Sequence, residues 1–234
     1  MRGDPPAIPG ARRSSGRVVV VTGTGTEIGK THVACQLVYL ASREGTACGF
    51  KPVETGVVGE GADMSALRAV SSFHVKHLLA SPYVFSEGLS PHLAARGEGR
   101  RISIDAIAEA VQLLRQAADV VFVELAGGLF TPLGEDTSNA DLAVALAPDR
   151  VILVAPDRLG VLHELGATTR AARDAGCRID AIVLNTPATV DASTGRNAAE
   201  IRVVAPGPVV VGPLPRTAEN RHAYASILSA LLIF

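Results

Sequence analysis

Short runs of β-branched and other apolar residues alternate along the chain with longer segments rich in alanine and leucine. The short runs are almost entirely apolar, which is typical of strands that are covered on both faces. The longer segments repeat apolar residues at spacings of three and four, which is typical of helices. This pattern predicts an α/β fold with a doubly wound, mostly parallel sheet in a single domain. The predicted strands are 17–22, 46–51, 119–124, 150–155, 179–184 and 208–212, and the predicted helices are 29–43, 63–71, 102–117, 161–175 and 217–232.

Length, charge and cysteine usage narrow the function classes. The chain has 234 residues, enough for one large core, and carries 22 Lys and Arg against 23 Asp and Glu. This balance argues against nucleic acid or a membrane as partner and favours a small molecule. No apolar run reaches the roughly 20 residues of a membrane helix. Three cysteines without metal-ligand spacing are typical of reduced thiols in a cytoplasmic protein.

The amino-terminal segment has a different composition from the rest of the chain. Residues 1–16 are rich in proline, glycine, arginine and serine, which do not pack into a core. We expect a disordered extension at 1–16 and one domain at 17–234. Arginines and serines also occur in transit peptides, but Asp4 and the short length argue against one.

A glycine-rich loop follows the first predicted strand. The run Val18–Val21 leads into Gly23 and closes with Gly29, Lys30 and Thr31, five residues separating the two glycines where the usual phosphate-binding motif has four. Backbone N–H groups of such a loop bind phosphates, the lysine reaches the outer phosphates and the threonine hydroxyl ligates Mg²⁺. The alternative is a simple strand-to-helix turn with a solvated lysine.

Charged residues follow two further predicted strands. Ligands of parallel sheets bind beyond the carboxyl ends of the strands, so these positions are candidate sites. Lys51 precedes Pro52, and Glu124 ends a buried run, where an isolated carboxylate is costly unless a cation meets it. Asp63 is a third candidate oxygen ligand. The alternatives are an exposed lysine at 51 and an ordinary helix N-cap at 63.

Several blocks together resemble the dethiobiotin synthetase family, and they occur in that family's order over most of the chain from residue 17. The family's phosphate loop also has the extra residue, so the spacing supports the resemblance. The blocks are Thr22–Thr31, Lys51-Pro-Val-Glu-Thr-Gly56, Ser90-Pro-His92, Glu124-Leu-Ala-Gly-Gly128, Phe130-Thr-Pro-Leu133 and Asn185.

The resemblance implies a P-loop NTPase-like fold and an ATP-dependent ring closure in biotin synthesis. The substrates are 7,8-diaminopelargonic acid, CO₂ or bicarbonate, and ATP with Mg²⁺. One amine is carbamylated, the carbamate oxygen attacks the γ-phosphate, and the other amine closes the ring on the mixed anhydride, giving dethiobiotin, ADP and phosphate. Both reactants are anions, so lysines and Mg²⁺ are needed to bring them together.

The resemblance also assigns residues to these ligands. Lys30 and Lys51 are the implied catalytic groups, with Lys51 holding the carbamate and the transferred phosphoryl group. The implied metal ligands are Thr31, Asp63 and Glu124, and the implied substrate contacts are Thr26, Lys51 and Thr55. The implied nucleotide contacts are Glu27, Ile28, Gly29, Lys30, Thr31, His32, Asp63, Glu124, Leu125, Ala126, Gly127, Asn185, Thr186, Pro213, Leu214, Pro215 and Glu219.

A second subunit completes the implied site. The resemblance places the carboxylate tail of the substrate on a helix N-terminus of the partner subunit, which implies a homodimer with shared sites. The residues are Leu159, Gly160, Val161 and Leu162, with His163 a possible added charge at low pH. Leu125 stands where the family has glycine, so a backbone with positive φ there would be strained. Gly25 replaces a common aspartate, and Thr55 a common serine.

Two competing functions differ in class from a synthetase. A nucleotide-dependent switch of the ParA or MinD kind has a similar loop, but its signature lysine stands where this chain has Gly25. A nucleotide-binding module without activity is the other competitor, and dependence of ATP turnover on the diamine separates all three. His74 and His77 have the i, i+3 spacing that would place them on one face of a helix, but a metal site usually needs more ligands.

Overall fold

The computed structural model describes residues 16–72, 81–214 and 221–230. Within these ranges, none of the helices has the length and apolar character needed to cross a membrane. The strands are β1 (Arg17–Gly23), β2 (Ala47–Phe50), β3 (Val53–Thr55), β4 (Tyr83–Phe85), β5 (Val120–Glu124), β6 (Arg150–Pro156), β7 (Ala181–Asn185) and β8 (Val209–Leu214). The helices are α1 (Lys30–Glu44), α2 (Ala62–Val70), α3 (Pro91–Gly97), α4 (Ile104–Ala117), α5 (Asn139–Ala145), α6 (Val161–Asp174), α7 (Asn197–Val204) and α8 (Arg221–Ala230).

Six of the strands form one sheet in the order β2-β5-β1-β6-β7-β8. Every pair of neighbours in this sheet is parallel. From β1 the chain crosses to β2 on one side and later adds β6, β7 and β8 on the other. All carboxyl ends therefore lie along one edge, and the ends of β2, β5 and β1 are consecutive there.

The sheet is covered on both faces. Val18–Val21 in β1 and Val121–Val123 in β5 are fully buried. Since successive side chains of a strand point to opposite faces, burial at every position requires helices on both sides. The apolar runs in the sequence are thus the direct cause of the central position of these strands.

The six predicted strands all occur, each within two residues of its predicted bounds at either end. The predicted helices 29–43, 63–71, 102–117 and 161–175 correspond to α1, α2, α4 and α6. Helix α8 confirms the centre of 217–232, whose remaining residues lie outside the described ranges. The extension predicted at 1–16 lies outside them as well, except for Gly16, which donates a backbone hydrogen bond to the carbonyl oxygen of Arg115.

Five elements were not expected from the periodicity. They are the two-stranded parallel sheet of β3 and β4 and the helices α3, α5 and α7, none longer than 8 residues. Two turns of helix show too few repeats for a periodic signal, and such short helices depend on caps and packing. For α5, Ser138 and Asp141 form a capping box. Strand β3 places Thr55 beside the carboxyl edge of the main sheet.

Candidate active site at the carboxyl edge of the sheet

The loop between β1 and α1 has the geometry of an anion cradle. Gly29 precedes α1 with a φ of 91°, and no described side chain caps this helix. The first N–H groups of a helix have no partner within the helix, so an anion can meet them here. The ammonium of Lys30 donates to the carbonyl oxygen of Gly25 at 2.6 Å, which holds its chain against the loop.

Lys51 lies immediately after β2, as the proline at 52 predicted, but it is buried rather than exposed. Its ammonium donates to Oδ2 of Asp63 at 2.7 Å and to Oε1 of Glu124 at 2.6 Å. The hydroxyl of Thr31 donates to the same Glu124 oxygen at 2.8 Å. This shared oxygen links the Lys51 ammonium to the Thr31 hydroxyl at the end of the phosphate loop.

The charged groups in this cluster shift one another's pKa values. Burial, together with the neighbouring Lys51 charge, lowers the pKa of Lys30 to about 8. For Lys51, burial opposes the charged form, but Glu124 and Asp63 outweigh it and raise the pKa. Burial acts likewise against ionisation of Asp63, yet the Lys51 ammonium lowers the pKa of that carboxyl. Lys51 is therefore held charged, whereas Lys30 titrates near neutral pH.

The oxygen atoms fit a divalent cation. Oε2 of Glu124 is buried and has no hydrogen-bond partner among the described residues. Asp63, Glu124 and Thr31 supply hard oxygen donors of the kind that Mg²⁺ prefers. No group of three or more His, Cys, Asp or Glu side chains forms a self-sufficient metal site in the described ranges. Two carboxylates suffice for Mg²⁺ only when phosphate oxygens and water complete its coordination.

A cleft of about 870 Å³ opens beside this cluster. It brings together most of the predicted catalytic, metal and substrate residues with several to which the sequence assigned no role. The predicted residues that line it are Thr26, Glu27, Gly29, Lys30, Thr31, Lys51, Thr55, Asp63, Glu124, Ala126 and Gly127, and the further ones include Glu54, Gly88, Leu89, Ser90, Pro91, Thr131 and Pro132.

The residues predicted to hold the base lie at the ends of β7 and β8. The amide nitrogen of Asn185 donates to the carbonyl oxygen of Ile28 at 2.9 Å, which ties β7 to the phosphate loop. Its Oδ1 is buried without a partner in the described part of the chain. Thr186 N–H donates to the carbonyl of Leu214 at 2.8 Å, at the end of β8 next to Pro213. Pro215 and Glu219 lie outside the described residues, as do His74 and His77.

Two predicted positions have surroundings that the sequence did not indicate. Leu125 does not have a positive φ, a conformation that outside glycine occurs among the described residues only at Glu27 and Ala147. Its side chain is fully buried in the core, so the leucine neither strains the backbone nor obstructs the cleft. The ring of His32 packs edge-on against Tyr224 with centroids 6.0 Å apart.

The segment predicted to hold the substrate tail does not line the cleft of its own subunit. Gly160 has a φ of 91° and precedes Val161, the first residue of α6, so the predicted helix N-terminus is present. Leu159 is 74% exposed, while Val161 is buried. Leu162 lies against the core.

Sequence reasoning missed residues that shape the site without an obvious motif. Asn139 donates to the carbonyls of Ala126 at 2.6 Å and Gly128 at 2.9 Å, fixing the loop after β5. Glu54 is buried and accepts from the first turn of α2. Its signal in the sequence is a carboxylate directly after Pro52 and Val53, where burial requires partners.

Comparisons with known proteins place this geometry in a family. A family model described as an AAA domain matches residues 17–221. An ATP-dependent dethiobiotin synthetase BioD of Anaeromyxobacter dehalogenans is 40% identical over 223 residues, which cover 93% of this chain and 100% of the relative. The protein of that name from Aromatoleum aromaticum is 39% identical, covering 86% and 92%.

Solved structures share the fold at low identity. A ParA family ATPase from Chlorobium tepidum aligns with a TM-score of 0.53 and 16% identity over 93% of this chain and 92% of that one. Cyanothece McdA in complex with ATP aligns with a TM-score of 0.57 and 13% identity, over 94% and 98%. These likenesses concern the fold alone, whereas the sequence relatives carry the assignment: the chain belongs to the ATP-dependent dethiobiotin synthetases.

Proposed function

We propose that this protein uses CO₂ and MgATP to close a cyclic urea on 7,8-diaminopelargonic acid, with release of ADP and phosphate. One amine adds to CO₂ with loss of a proton, and the resulting carbamate oxygen attacks the γ-phosphorus as ADP leaves. The second amine attacks the carbamoyl carbon of the mixed anhydride, phosphate leaves, and a second proton is lost. The cleft beside two lysines and two carboxylates accommodates both anionic reactants.

The observation that carries this proposal is that the Lys51 side chain lies beside the end of the phosphate loop. Its ammonium shares the Oε1 atom of Glu124 with the Thr31 hydroxyl. A positive charge at this point offsets the repulsion between a carbamate and a triphosphate. Lys30, at the start of α1, serves the outer phosphates in the same way. The protein's contribution is thus mainly positioning and charge stabilisation.

Asp63, Glu124 and Thr31 are the proposed ligands of Mg²⁺. When bound, this ion neutralises charge on the β- and γ-phosphate oxygens. The Lys51 ammonium neutralises the two carboxylates. An ion held by Asp63 and Glu124 would take over this neutralisation and would free the Lys51 ammonium to hold the carbamate.

The remaining contacts follow from where the chain places its polar groups. Thr26 and Thr55 line the cleft and offer hydroxyls to the diamine. The unpartnered Oδ1 of Asn185 is an acceptor suited to the exocyclic amine of adenine. The residues near it, Thr186, Pro213 and Leu214, form the proposed wall of the base pocket.

A homodimer with shared sites completes the proposal. The α6 N-terminus around Leu159–Leu162 suits the substrate carboxylate, because the first N–H groups of a helix carry partial positive charge. This segment does not line the cleft of its own subunit, which supports its contribution from a partner subunit. Three free cysteines agree with action in the cytoplasm.

The test is a phosphate-release assay with the diamine, bicarbonate and MgATP, each omitted in turn. The proposal expects phosphate release that depends on all three components, together with dethiobiotin detected by mass spectrometry. ATP hydrolysis that proceeds without the diamine supports a ParA-like switch instead. Nucleotide binding without any turnover supports a binding module, and either result contradicts the proposal.

A further inference from the structure

Glu54 is a buried carboxylate in the cleft that the proposed reaction does not use. It lies in the middle of β3 with only 6% of its surface exposed. Its Oε1 accepts a hydrogen bond from the backbone N–H of Asp63 at 2.9 Å, and its Oε2 accepts from that of Met64 at 3.3 Å. Both oxygens therefore accept hydrogen bonds from the backbone of α2.

These two N–H groups belong to the first turn of α2, which lacks a cap of its own. The N-cap residue is Gly61, which has no side chain to accept from the helix. Glu54 reaches from another element to satisfy the N–H groups that a serine or aspartate at the N-cap would normally satisfy. A negative charge at a helix N-terminus is also favourable for the helix dipole.

Gly61 makes room for this arrangement. A Cβ atom added at position 61 would overlap Oε2 of Glu54. The pair Gly61 and Glu54 therefore acts as one unit, in which a side-chain cap from β3 replaces a local one. Because the cap comes from β3, it fixes the position of the first turn of α2 relative to that strand and to the cleft beside it.

This cap fixes the position of Asp63. Its backbone N–H is held by Glu54, and its carboxylate meets the Lys51 ammonium at 2.7 Å. A shift of the first turn of α2 would thus move the Asp63 carboxylate away from the oxygens of Glu124 and Thr31. Partners that orient metal ligands typically alter metal affinity by about 10- to 100-fold when they are removed.

We propose that Glu54 is a positioning residue for the divalent ion, acting through the N-terminal cap of α2 on Asp63. The inference rests on the proposed metal role of Asp63. It assigns Glu54 no contact with the ion or with the reacting atoms. Its effect is on metal affinity, separate from nucleotide affinity.

The experiment measures Mn²⁺ binding to the ADP-bound protein by the loss of the free Mn²⁺ signal in electron paramagnetic resonance. Glu54→Ala removes the cap, and Glu54→Gln keeps one acceptor. The double variant E54A/G61S supplies a serine at the N-cap in the space that the glutamate leaves. Glu60→Ala is the matched control, because Glu60 is an exposed carboxylate of the same loop that pairs with Arg68.

Glu54→Ala is expected to weaken Mn²⁺ binding about 10-fold or more, with Glu54→Gln intermediate and Glu60→Ala unchanged. ADP affinity measured with a chelator present should stay within about 2-fold, since the cap acts only through a metal ligand. E54A/G61S should recover most of the lost Mn²⁺ affinity. If E54A does not fold, E54Q and the double variant carry the test.

Three outcomes contradict the proposal in distinguishable ways. Wild-type Mn²⁺ affinity in Glu54→Ala, or in Glu54→Gln where the alanine variant does not fold, shows that Glu54 does not position the site. Loss that a serine cap does not restore shows that the carboxylate acts by its charge and not through the helix. A wild-type protein whose ADP complex binds no Mn²⁺ overturns the metal role of Asp63 itself, and with it this inference.

Discussion

At the scale of single residues, the site is dominated by a buried ammonium between two carboxylates. The Lys51 side chain is 6% exposed and the Glu124 side chain 0%. Buried ion pairs add little net stability, but removal of one partner leaves an uncompensated charge. Lys51 thus serves the folded protein as well as the proposed reaction, and the two roles can be measured separately.

The catalytic role of Lys51 is tested with Lys51→Met. We expect the turnover number to fall by about 10²- to 10³-fold, as when one charge-stabilising donor is removed from an active site. Affinity for ATP should change much less, because Lys30 and the loop N–H groups remain. Equilibrium ATP binding and single-turnover dethiobiotin formation are the measurements. Normal turnover with weakened ATP binding would assign Lys51 to nucleotide binding instead.

The structural role of Lys51 is tested by denaturant unfolding in the presence of a chelator. Lys51→Met should lower the free energy of unfolding by about 3–5 kcal/mol, because Glu124 is left buried without a cation. The double variant Lys51→Met/Glu124→Gln should recover a substantial part of this loss, since it removes both charges. Equal stability of the single and double variants would show that the pair is not coupled.

Protonation of Lys30 should appear in the pH dependence of nucleotide binding. Burial and the Lys51 charge lower the pKa of Lys30 to about 8 in the free protein. A bound phosphate favours the charged form, so affinity is full below this value and falls as the pH rises above it. ADP dissociation constants measured between pH 7 and pH 9.5 provide the test. A constant value across this range would exclude Lys30 as the titrating contact.

At the scale of elements, the site depends on how closely α2 packs on β2. Gly49 in β2 faces Leu67 of α2, and an added Cβ would lie 2.7 Å from Leu67 Cδ2. Glycine is therefore required for this close approach, which sets the position of Asp63 one turn earlier in the helix. The periodicity of the sequence predicted α2 at 63–71, but it contains no information about this distance.

Gly49→Ala tests this packing. We expect a loss of about 1–3 kcal/mol in the free energy of unfolding, because the extra methyl group overpacks the contact with Leu67. The Mg²⁺ concentration needed for half-maximal activity should rise as α2 moves outward. Gly97→Ala at the end of α3 is the control, since an added Cβ there meets no atom within 4 Å. Unchanged stability and metal dependence in Gly49→Ala would contradict the expectation.

At the scale of the whole molecule, strand order assembles the site. Strand β5 inserts between β1 and β2, so the ends that carry Lys51, Glu124 and the phosphate loop become neighbours. Lys51 and Glu124 are 73 residues apart in the sequence, yet their side chains meet at 2.6 Å. Leu159–Leu162 at the α6 N-terminus do not line this cleft, which supports the proposal that the substrate site spans two subunits.

Mixed dimers test the shared site. Leu159→Asp places a negative charge beside the helix N-terminus at an exposed position and should raise the KM for the diamine. When Lys51→Met and Leu159→Asp subunits are unfolded and refolded together, activity should return to about a quarter of wild type. Random pairing makes half the dimers mixed, and each mixed dimer has one intact site. No recovery above either variant alone would argue against sites shared between subunits.

The sequence by itself determined the six core strands, four of the helices and the centre of a fifth, and it predicted the chemistry of the phosphate loop. These depend on local periodicity and on residue types at fixed spacing, which do not require knowledge of distant contacts. It also identified Lys51 and Glu124 as candidates because each stands at the end of a predicted strand, and Asp63 as a further oxygen ligand at the start of a helix.

The tertiary structure alone decided which of these candidates meet and what surrounds them. The burial of Lys51, the inward side chain of Leu125 and the cap that Glu54 provides for α2 are contacts between separate elements. Helices α3 and α5 and strands β3 and β4 are too short to be specified by their own residues. Such features arise from the order of the strands and from packing, since both bring together positions that are far apart in the chain.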